Sequence, residues 1–415
     1  MRSNRNSVLG GSTTKSVNDK DAGVPENPSL RNLANAIAVG HKRYVSRFTP
    51  SSSSSSTSPV VLFVVQDGET NVVDQNLLEF RIWDDHGISV ERISLKGALG
   101  RIVTASDDGD NDKNGALFLL PPQSSSSLVE TTTTDNSISG LIKRGGREVS
   151  VVYYRAGYTP DDYPSGDWDR DTSSATTATK VGAEWTSRLI MEQSRATKCP
   201  CLGYHLAGTK KVQQELARPG VLESFFPSSN GVMDETNNDN FDVEGMRQTF
   251  ATLHSLGSDM SRVDLDAVGT AIFEPDGGDR FVLKPQREGG GYNIYGDDMV
   301  KALKEDAVVD VEGDDATGKR IVTRMGGKLG GHILMERLNP PVQRAALLRR
   351  GALEGVDDSI SELGCFGTIL MGSSDDVTTA HHNEYSGFLL RTKFCNVDEG
   401  GVASGFATLS SPYLC

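Results

Sequence analysis

The residues best suited to chemistry lie between Phe281 and Gly296, FVLKPQREGGGYNIYG. A short apolar run, Phe281-Val282-Leu283, ends in Lys284 and Pro285; Arg287, Glu288, Gly289, Gly290, Gly291 and Asn293 follow. A lysine where a strand ends, ahead of a glycine run, suits a polyphosphate. Glycine has no Cβ, so its N–H groups can approach phosphate oxygens and converge on them. Lys284 and Arg287 add positive charge, and Glu288 is a hard oxygen ligand for magnesium on the same phosphates. A flexible surface linker is the plain alternative for a glycine run. Linkers seldom crowd Lys, Arg, Glu and Asn together, which favours the phosphate reading.

Other chemistries find little support. The chain has no GxxxxGK[ST] phosphate loop, no kinase catalytic set and no serine nucleophile elbow. His381 and His382 are adjacent but have no third ligand at metal spacing, so they read as structural. Cys199 and Cys201 flank Pro200, and two thiols alone make a poor metal site.

Periodicity shows the elements that must position the glycine stretch. Residues 1–26 are polar and aperiodic, and Leu33, Ile37, Tyr44 and Val45 then recur at helical spacing. Ser51 to Ser58 is a serine-rich connector. Val60 to Val65 is a continuous apolar run suited to a strand buried on both faces. Glu69 to Trp83 reads as a helix, with strands at Ile88 to Leu95 and Val149 to Tyr154. This βαβ pattern implies a mostly parallel sheet with ligands at its carboxyl ends. Asp107 to Thr134, Asp167 to Lys180 and Ser228 to Asp242 read as surface insertions. Farther on, Trp185 to Thr197 and Lys210 to Phe226 look helical, the second broken at Pro219-Gly220. Phe281 to Lys284, His332 to Met335 and Gly367 to Leu370 look like strands, and Asp297-Asp298 open a helix. The expected division is 1–58 as a polar segment, helix and linker, 59–206 as an α/β domain, and 207–415 as a nucleotide-binding domain.

The 415 residues allow a large core and two or three domains. A formal charge of -14 argues against a general binder of nucleic acid or anionic membranes. The five cysteines include no CxxC, and no apolar run approaches the ~20 residues of a membrane span. A cytoplasmic protein is expected.

The glycine stretch and several separated motifs resemble the eukaryotic glutathione synthetase family of ATP-grasp ligases. LAGTKKVQQELARPG (Leu206 to Gly220) matches a family segment almost throughout, and Lys210 and Lys284 fall on the two lysines that contact ATP phosphates. ILMERLNP resembles the family hinge, placing Met335, Glu336, Arg337 and Leu338 near adenine. Glu362 in ISELGCFG and Lys393 in LLRTK fall on nucleotide positions, and Arg391 on one for a substrate carboxylate. The resemblance also implies nucleotide contacts for Gln286, Arg287, Glu288, Gly289, Gly290, Gly291, Asn293, Tyr295 and Glu399. ETNVVDQ places Glu69, Asn71 and Gln75, and YYRAGY places Arg155 and Tyr158, on a γ-glutamylcysteine pocket. Core packing is the alternative for Tyr158 and Tyr295. EGGVASGF resembles a C-terminal loop in which Val402 and Ala403 face the substrate and leave little room for an acceptor larger than glycine.

The resemblance implies an α/β chain: an ATP-grasp domain beside a mostly parallel α/β substrate domain. It implies ATP-dependent joining of γ-glutamylcysteine and glycine through an acyl phosphate, with Mg2+ and a homodimer. It runs from about Glu26 to the C-terminus. The family's Glu-x-Asn element, which supplies two magnesium ligands, has no counterpart, because Glu26-Asn27 has other spacing. The chain therefore reads as an N-terminally shortened member in which Glu288 is the remaining metal ligand. An impaired nucleotide-binding fragment, or an ATP-grasp ligase for another amine, are the alternatives.

Overall fold

The computed structural model describes residues 23–48, 58–69, 71–98, 147–164, 182–226, 242–286, 292–312, 319–372, 380–402 and 405–412, and the backbone alone at 101–102, 117–119 and 141–143. By compactness the chain forms two units. One comprises Met1–Gly157, Asp162–Cys199 and Pro341–Cys415, and the other Tyr158–Asp161 and Pro200–Pro340. Residues 341–415, grouped by sequence pattern with 207–340, thus belong to the unit that holds the parallel strands.

The first unit opens with helix α1 (Ser29–Phe48), whose Ala34, Ile37, Ala38 and Tyr44 are buried. Strand β1 (Val60–Val65) follows, then helix α2 (Val72–His86) and strand β2 (Val90–Ser94). Strand β3 (Arg147–Tyr154), helix α3 (Ala183–Gln193) and strand β4 (Thr197–Cys199) come later. β1 pairs in parallel with β2 and β3, and β3 with β4. Short strands at Leu141–Lys143, Leu117–Leu119 and Arg101–Ile102 extend the sheet to seven strands, with antiparallel pairings at Leu141–Lys143.

The VVLFVV run is buried on both faces, as its composition requires. Val60, Leu62 and Val64 enter one core with Ile190 and Met191 of α3. Val61 and Phe63 enter the opposite core with Ala34, Ile37 and Ala38 of α1 and Leu78 and Ile82 of α2. Each such buried side chain contributes about 1.5–3 kcal/mol. α2 ends at Gly87, whose φ of 65° lets its N–H reach the Trp83 carbonyl.

The second unit contains helix α4 (Lys210–Ala217), strand β5 (Leu253–Ser255), helix α5 (Arg262–Phe273), strand β6 (Phe281–Pro285), helix α6 (Gly296–Asp306) and strand β7 (His332–Glu336). β7 lies between β5 and β6 in an antiparallel sheet. Its core joins Phe281 and Leu283 of β6 to Val268, Ala271 and Ile272 of α5 and Met299 and Leu303 of α6. α5 starts at a capping box in which Ser261 and Asp264 satisfy each other's backbone N–H groups. A hairpin, Ala307–Glu312 with Lys319–Met325, completes the unit.

The chain returns to the first unit as an antiparallel sheet of Gln343–Arg349, β8 (Ala352–Met371), β9 (Ala380–Phe394) and Thr408–Ser410. Asn27 fixes this sheet to the start of α1: its amide nitrogen donates to the Phe388 carbonyl at 2.7 Å, and its oxygen accepts from the Phe388 N–H at 3.2 Å.

Candidate functional site

In the second unit the two candidate phosphate lysines stand at element ends. Lys210 is the first residue of α4, and Lys284 precedes the last residue of β6, opposite Ile333 of β7. Gln286 lies just past β6; its N–H donates to the Gly331 carbonyl at 3.1 Å. Its side-chain oxygen accepts the Lys211 N–H at 2.9 Å, so Gln286 joins the two lysine-bearing elements. Arg287, Glu288, Gly289, Gly290 and Gly291 lie outside the described residues.

Beyond the glycines the chain rejoins the sheet through a bridge between Ile294 and Leu283. Asn293 donates to the Tyr295 hydroxyl at 3.2 Å, and the Arg337 guanidinium lies 5.6 Å from the Tyr295 ring centre. The candidate hinge segment is pinned at Glu336 and Arg337. The Glu336 carboxylate accepts from the Thr252 hydroxyl at 2.7 Å, and the Arg337 N–H donates to the Arg280 carbonyl at 2.8 Å. Met335 is half-buried, and Leu338 stands largely exposed. Tyr158, 40% exposed, is not a core side chain.

In the first unit a polar cluster lies at the carboxyl ends of β1 and β3. Glu69 accepts the Asn71 N–H and the Gln75 side-chain amide, each at 2.7 Å. A carboxylate only accepts, so Gln75 must turn its NH2 toward Glu69. That leaves the Gln75 carbonyl oxygen buried with no partner. Arg155 follows β3; its backbone N–H donates to the Val64 carbonyl at 2.7 Å, and its guanidinium donates to Asp74 of α2 at 3.0 Å. Its Nε is buried and unpaired. Burial opposes charge on Arg155, but Tyr153, Asp74 and Glu69 outweigh it and raise its pKa. An orphaned acceptor, an orphaned donor on a cation and a carboxylate together suit a zwitterionic ligand, because buried unpaired groups each cost about 1–3 kcal/mol. Sequence reasoning missed Asp74, although it lies within the ETNVVDQ motif.

A second cluster of this unit forms on the antiparallel sheet. Glu362 and Arg391 are paired across β8 and β9, and the guanidinium donates to the carboxylate. Lys393 donates to the Asp398 carbonyl at 2.5 Å. The loop carrying half-buried Glu399 and Val402 passes over this pair; a Cβ on Gly400 would lie 3.5 Å from Glu362 Oε2. Ala403 lies outside the described residues. Among the described residues no three His, Cys, Asp or Glu side chains group as a metal site. Glu288, the magnesium ligand that the resemblance implies, lies outside them. No helix of the described residues is long and apolar enough to cross a membrane.

Comparison with known proteins identifies the family of the chain. The profile described as eukaryotic glutathione synthase, ATP binding domain, matches residues 3–414. The chain is 33% identical over 390 residues to the glutathione synthetase of Dictyostelium discoideum, covering 94% of this chain and 63% of that protein. It is 36% identical over 391 residues to the chloroplastic glutathione synthetase of Arabidopsis thaliana, covering 94% of this chain and 54% of that one. The human glutathione synthetase is 34% identical over 400 residues, with 95% of this chain and 63% of the human protein covered. The chain thus spans between half and two thirds of these relatives' length. Among solved structures, an apo glutathione synthetase-like effector from Globodera pallida superposes with a TM-score of 0.52 at 16% identity, covering 94% of this chain and 62% of that one. The mixed α/β architecture, with its parallel and antiparallel sheets, fits the ATP-grasp fold of that neighbour. With a profile match running almost end to end, the chain is a member of the eukaryotic glutathione synthase ATP-binding domain family.

Proposed function

We propose that this chain is an ATP-dependent ligase that joins γ-glutamylcysteine to glycine, giving glutathione, ADP and phosphate. The observation that carries the reading is that Lys210 and Lys284, the family's phosphate lysines, end two elements that Gln286 ties together. Phosphoryl transfer is catalysed mainly by positioning and by charge on the phosphoryl oxygens, which two ammonium groups on linked elements would supply. The dipeptide's C-terminal carboxylate attacks the γ-phosphate and releases ADP. The acyl phosphate so formed is a better acyl donor than a carboxylate, and glycine's amine then displaces phosphate.

The cluster of Glu69, Gln75 and Arg155 supports a γ-glutamyl head group. Its ammonium matches Glu69 and the Gln75 carbonyl, and its carboxylate matches Arg155. Arg391 is the family position for the second substrate carboxylate; Lys393, Glu362, Glu399, Asn293, Tyr295 and the hinge 335–338 are positions for the nucleotide. Magnesium would accompany ATP and partly neutralise its phosphates, with Glu288 the carboxylate assigned to it. Val402 and Ala403 favour glycine over β-alanine. A homodimer is proposed from the resemblance alone, and a cytoplasmic location from the sequence reading.

The test is ADP release by the full chain, measured with each substrate omitted in turn. Release requiring both γ-glutamylcysteine and glycine supports the ligase. ATP binding with no substrate-dependent release would mark a nucleotide-binding protein without turnover.

A further inference from the structure

The sequence places two lysines side by side, Lys210 and Lys211, and the structure engages the second with three acceptors. Lys211 Nζ lies 2.5 Å from Asp259 Oδ2, 2.9 Å from Gln214 Oε1 and 3.4 Å from Ser255 Oγ. An ammonium has three N–H donors, so these acceptors fill its capacity. Asp259 is committed as well, because its other oxygen accepts from the Ser255 hydroxyl at 2.6 Å. The hydrogen bond from Lys211, followed by that from Ser255, holds the Asp259 carboxyl down to about 2.

The backbone of Lys211 is tied separately. The first N–H groups of a helix have no partner within it, and Thr209, at the cap of α4, makes no side-chain bond to them. Gln286 supplies the acceptor from another element, at 2.9 Å from the Lys211 N–H. Lys211 is therefore tethered by its side chain to the β5 end of the antiparallel sheet and by its backbone to the β6 end. Lys210 precedes the tethered residue, and Lys284 lies two positions before Gln286. Adjacent helical residues point about 100° apart, so Lys210 projects in another direction from the engaged Lys211.

We propose that Lys211, Asp259 and Gln286 form a latch that sets the spacing of Lys210 and Lys284, and that Lys211 is a positioning residue rather than a phosphate ligand. This rests on the nucleotide reading above. Its test is the affinity of the full chain for MgATP, by calorimetry, in wild type, Asp259→Asn, Gln286→Leu, Lys211→Met and Lys211→Arg. Removing the negative charge of Asp259 should by itself favour an anionic ligand. The latch predicts the opposite sign: Asp259→Asn and Gln286→Leu each weaken MgATP binding about three- to tenfold, the size of one hydrogen bond. Affinity for γ-glutamylcysteine stays unchanged, and so does the melting temperature within a few degrees. Lys211→Met loses as much, while Lys211→Arg, which still reaches Asp259, retains most of the affinity. Hydrogen exchange at the start of α4 should quicken in Gln286→Leu.

Tighter MgATP binding by Asp259→Asn would make Lys211 a restrained phosphate ligand and overturn the latch. Unchanged binding in both Asp259→Asn and Gln286→Leu overturns it too. A wild-type chain that binds no MgATP overturns the nucleotide reading itself, which separates the two failures.

Discussion

Glu362 and Arg391 face one another directly on adjacent antiparallel strands, each the other's cross-strand partner. Their side chains remain 61% and 34% exposed, and exposed pairs contribute about 0–1 kcal/mol. Stability therefore gives little reason for the pair, and ligand binding gives a better one. Arg391→Ala should shift the urea midpoint only slightly while lowering kcat/KM for γ-glutamylcysteine roughly 10- to 100-fold, as for a lost charge-assisted contact. A large loss of stability with unchanged turnover would make the pair structural.

Gly387→Ala should be among the more damaging single-methyl changes. Gly387 has φ of 109°, and an added Cβ would lie 2.3 Å from Ser29 Oγ and 2.7 Å from Ser29 N. The strained backbone alone costs on the order of 1–3 kcal/mol, and the clash adds to it. Denaturant unfolding of Gly387→Ala should show a loss of about 2 kcal/mol or more. Ser29→Ala should not rescue it, because the Ser29 backbone nitrogen remains in the way.

These two sites also show where the sequence is legible. β1 and α1 follow from local pattern: a run buried on both faces can only be an interior strand, and apolar residues at helical spacing declare their buried side. α5 carries a local signal that periodicity alone passed over, the Ser261-x-x-Asp264 capping box. β8 carries almost none. Only Gly367 to Leu370 reads as strand, because most of Ala352–Met371 is exposed, with charges and no alternation. Its register is imposed by β9, as is the Glu362–Arg391 pair. At the candidate site, Lys210 and Lys284 are proposed from motif positions alone. The bond from Lys211 to Asp259 spans 48 residues, and Asn27 reaches Phe388 across 361. No local spacing encodes such partners.

Acid sensitivity should trace in part to His41. Its Nδ1 lies 2.7 Å from the Ser150 hydroxyl, which gives its single proton to the Val60 carbonyl at 2.9 Å. His41 Nδ1 must therefore carry hydrogen, leaving Nε2 as the basic nitrogen. Burial first, and the charge of Lys42 second, pull its pKa below 6.5. The unfolded chain takes up this proton near pH 6.5 and the folded chain does not. The contribution of neutral His41 is thus fully present above that pH and is lost as pH falls toward the folded value, at up to about 1.4 kcal/mol per pH unit. The melting temperature should fall between pH 7.5 and 5.5. His41→Asn, which keeps an N–H for Ser150 but cannot titrate, should flatten part of that slope. His86 and His332, lowered in the same direction chiefly by burial, account for more of it.

Lys210 and Lys284 should act on one triphosphate, and that makes a claim about pairs as well as singles. If each ammonium stabilises charge on the same transferring phosphoryl group, Lys210→Ala and Lys284→Ala should each lower kcat by roughly 10²- to 10³-fold. Residues acting as a unit are strongly non-additive, since the first loss removes the geometry that the second depends on. The double variant should therefore fall well short of the product of the single effects. The observable is ADP release at saturating ATP for the four proteins of the cycle. Strict multiplicativity would mean that the lysines act on separate events, and Gln286 would then join two elements with unrelated tasks.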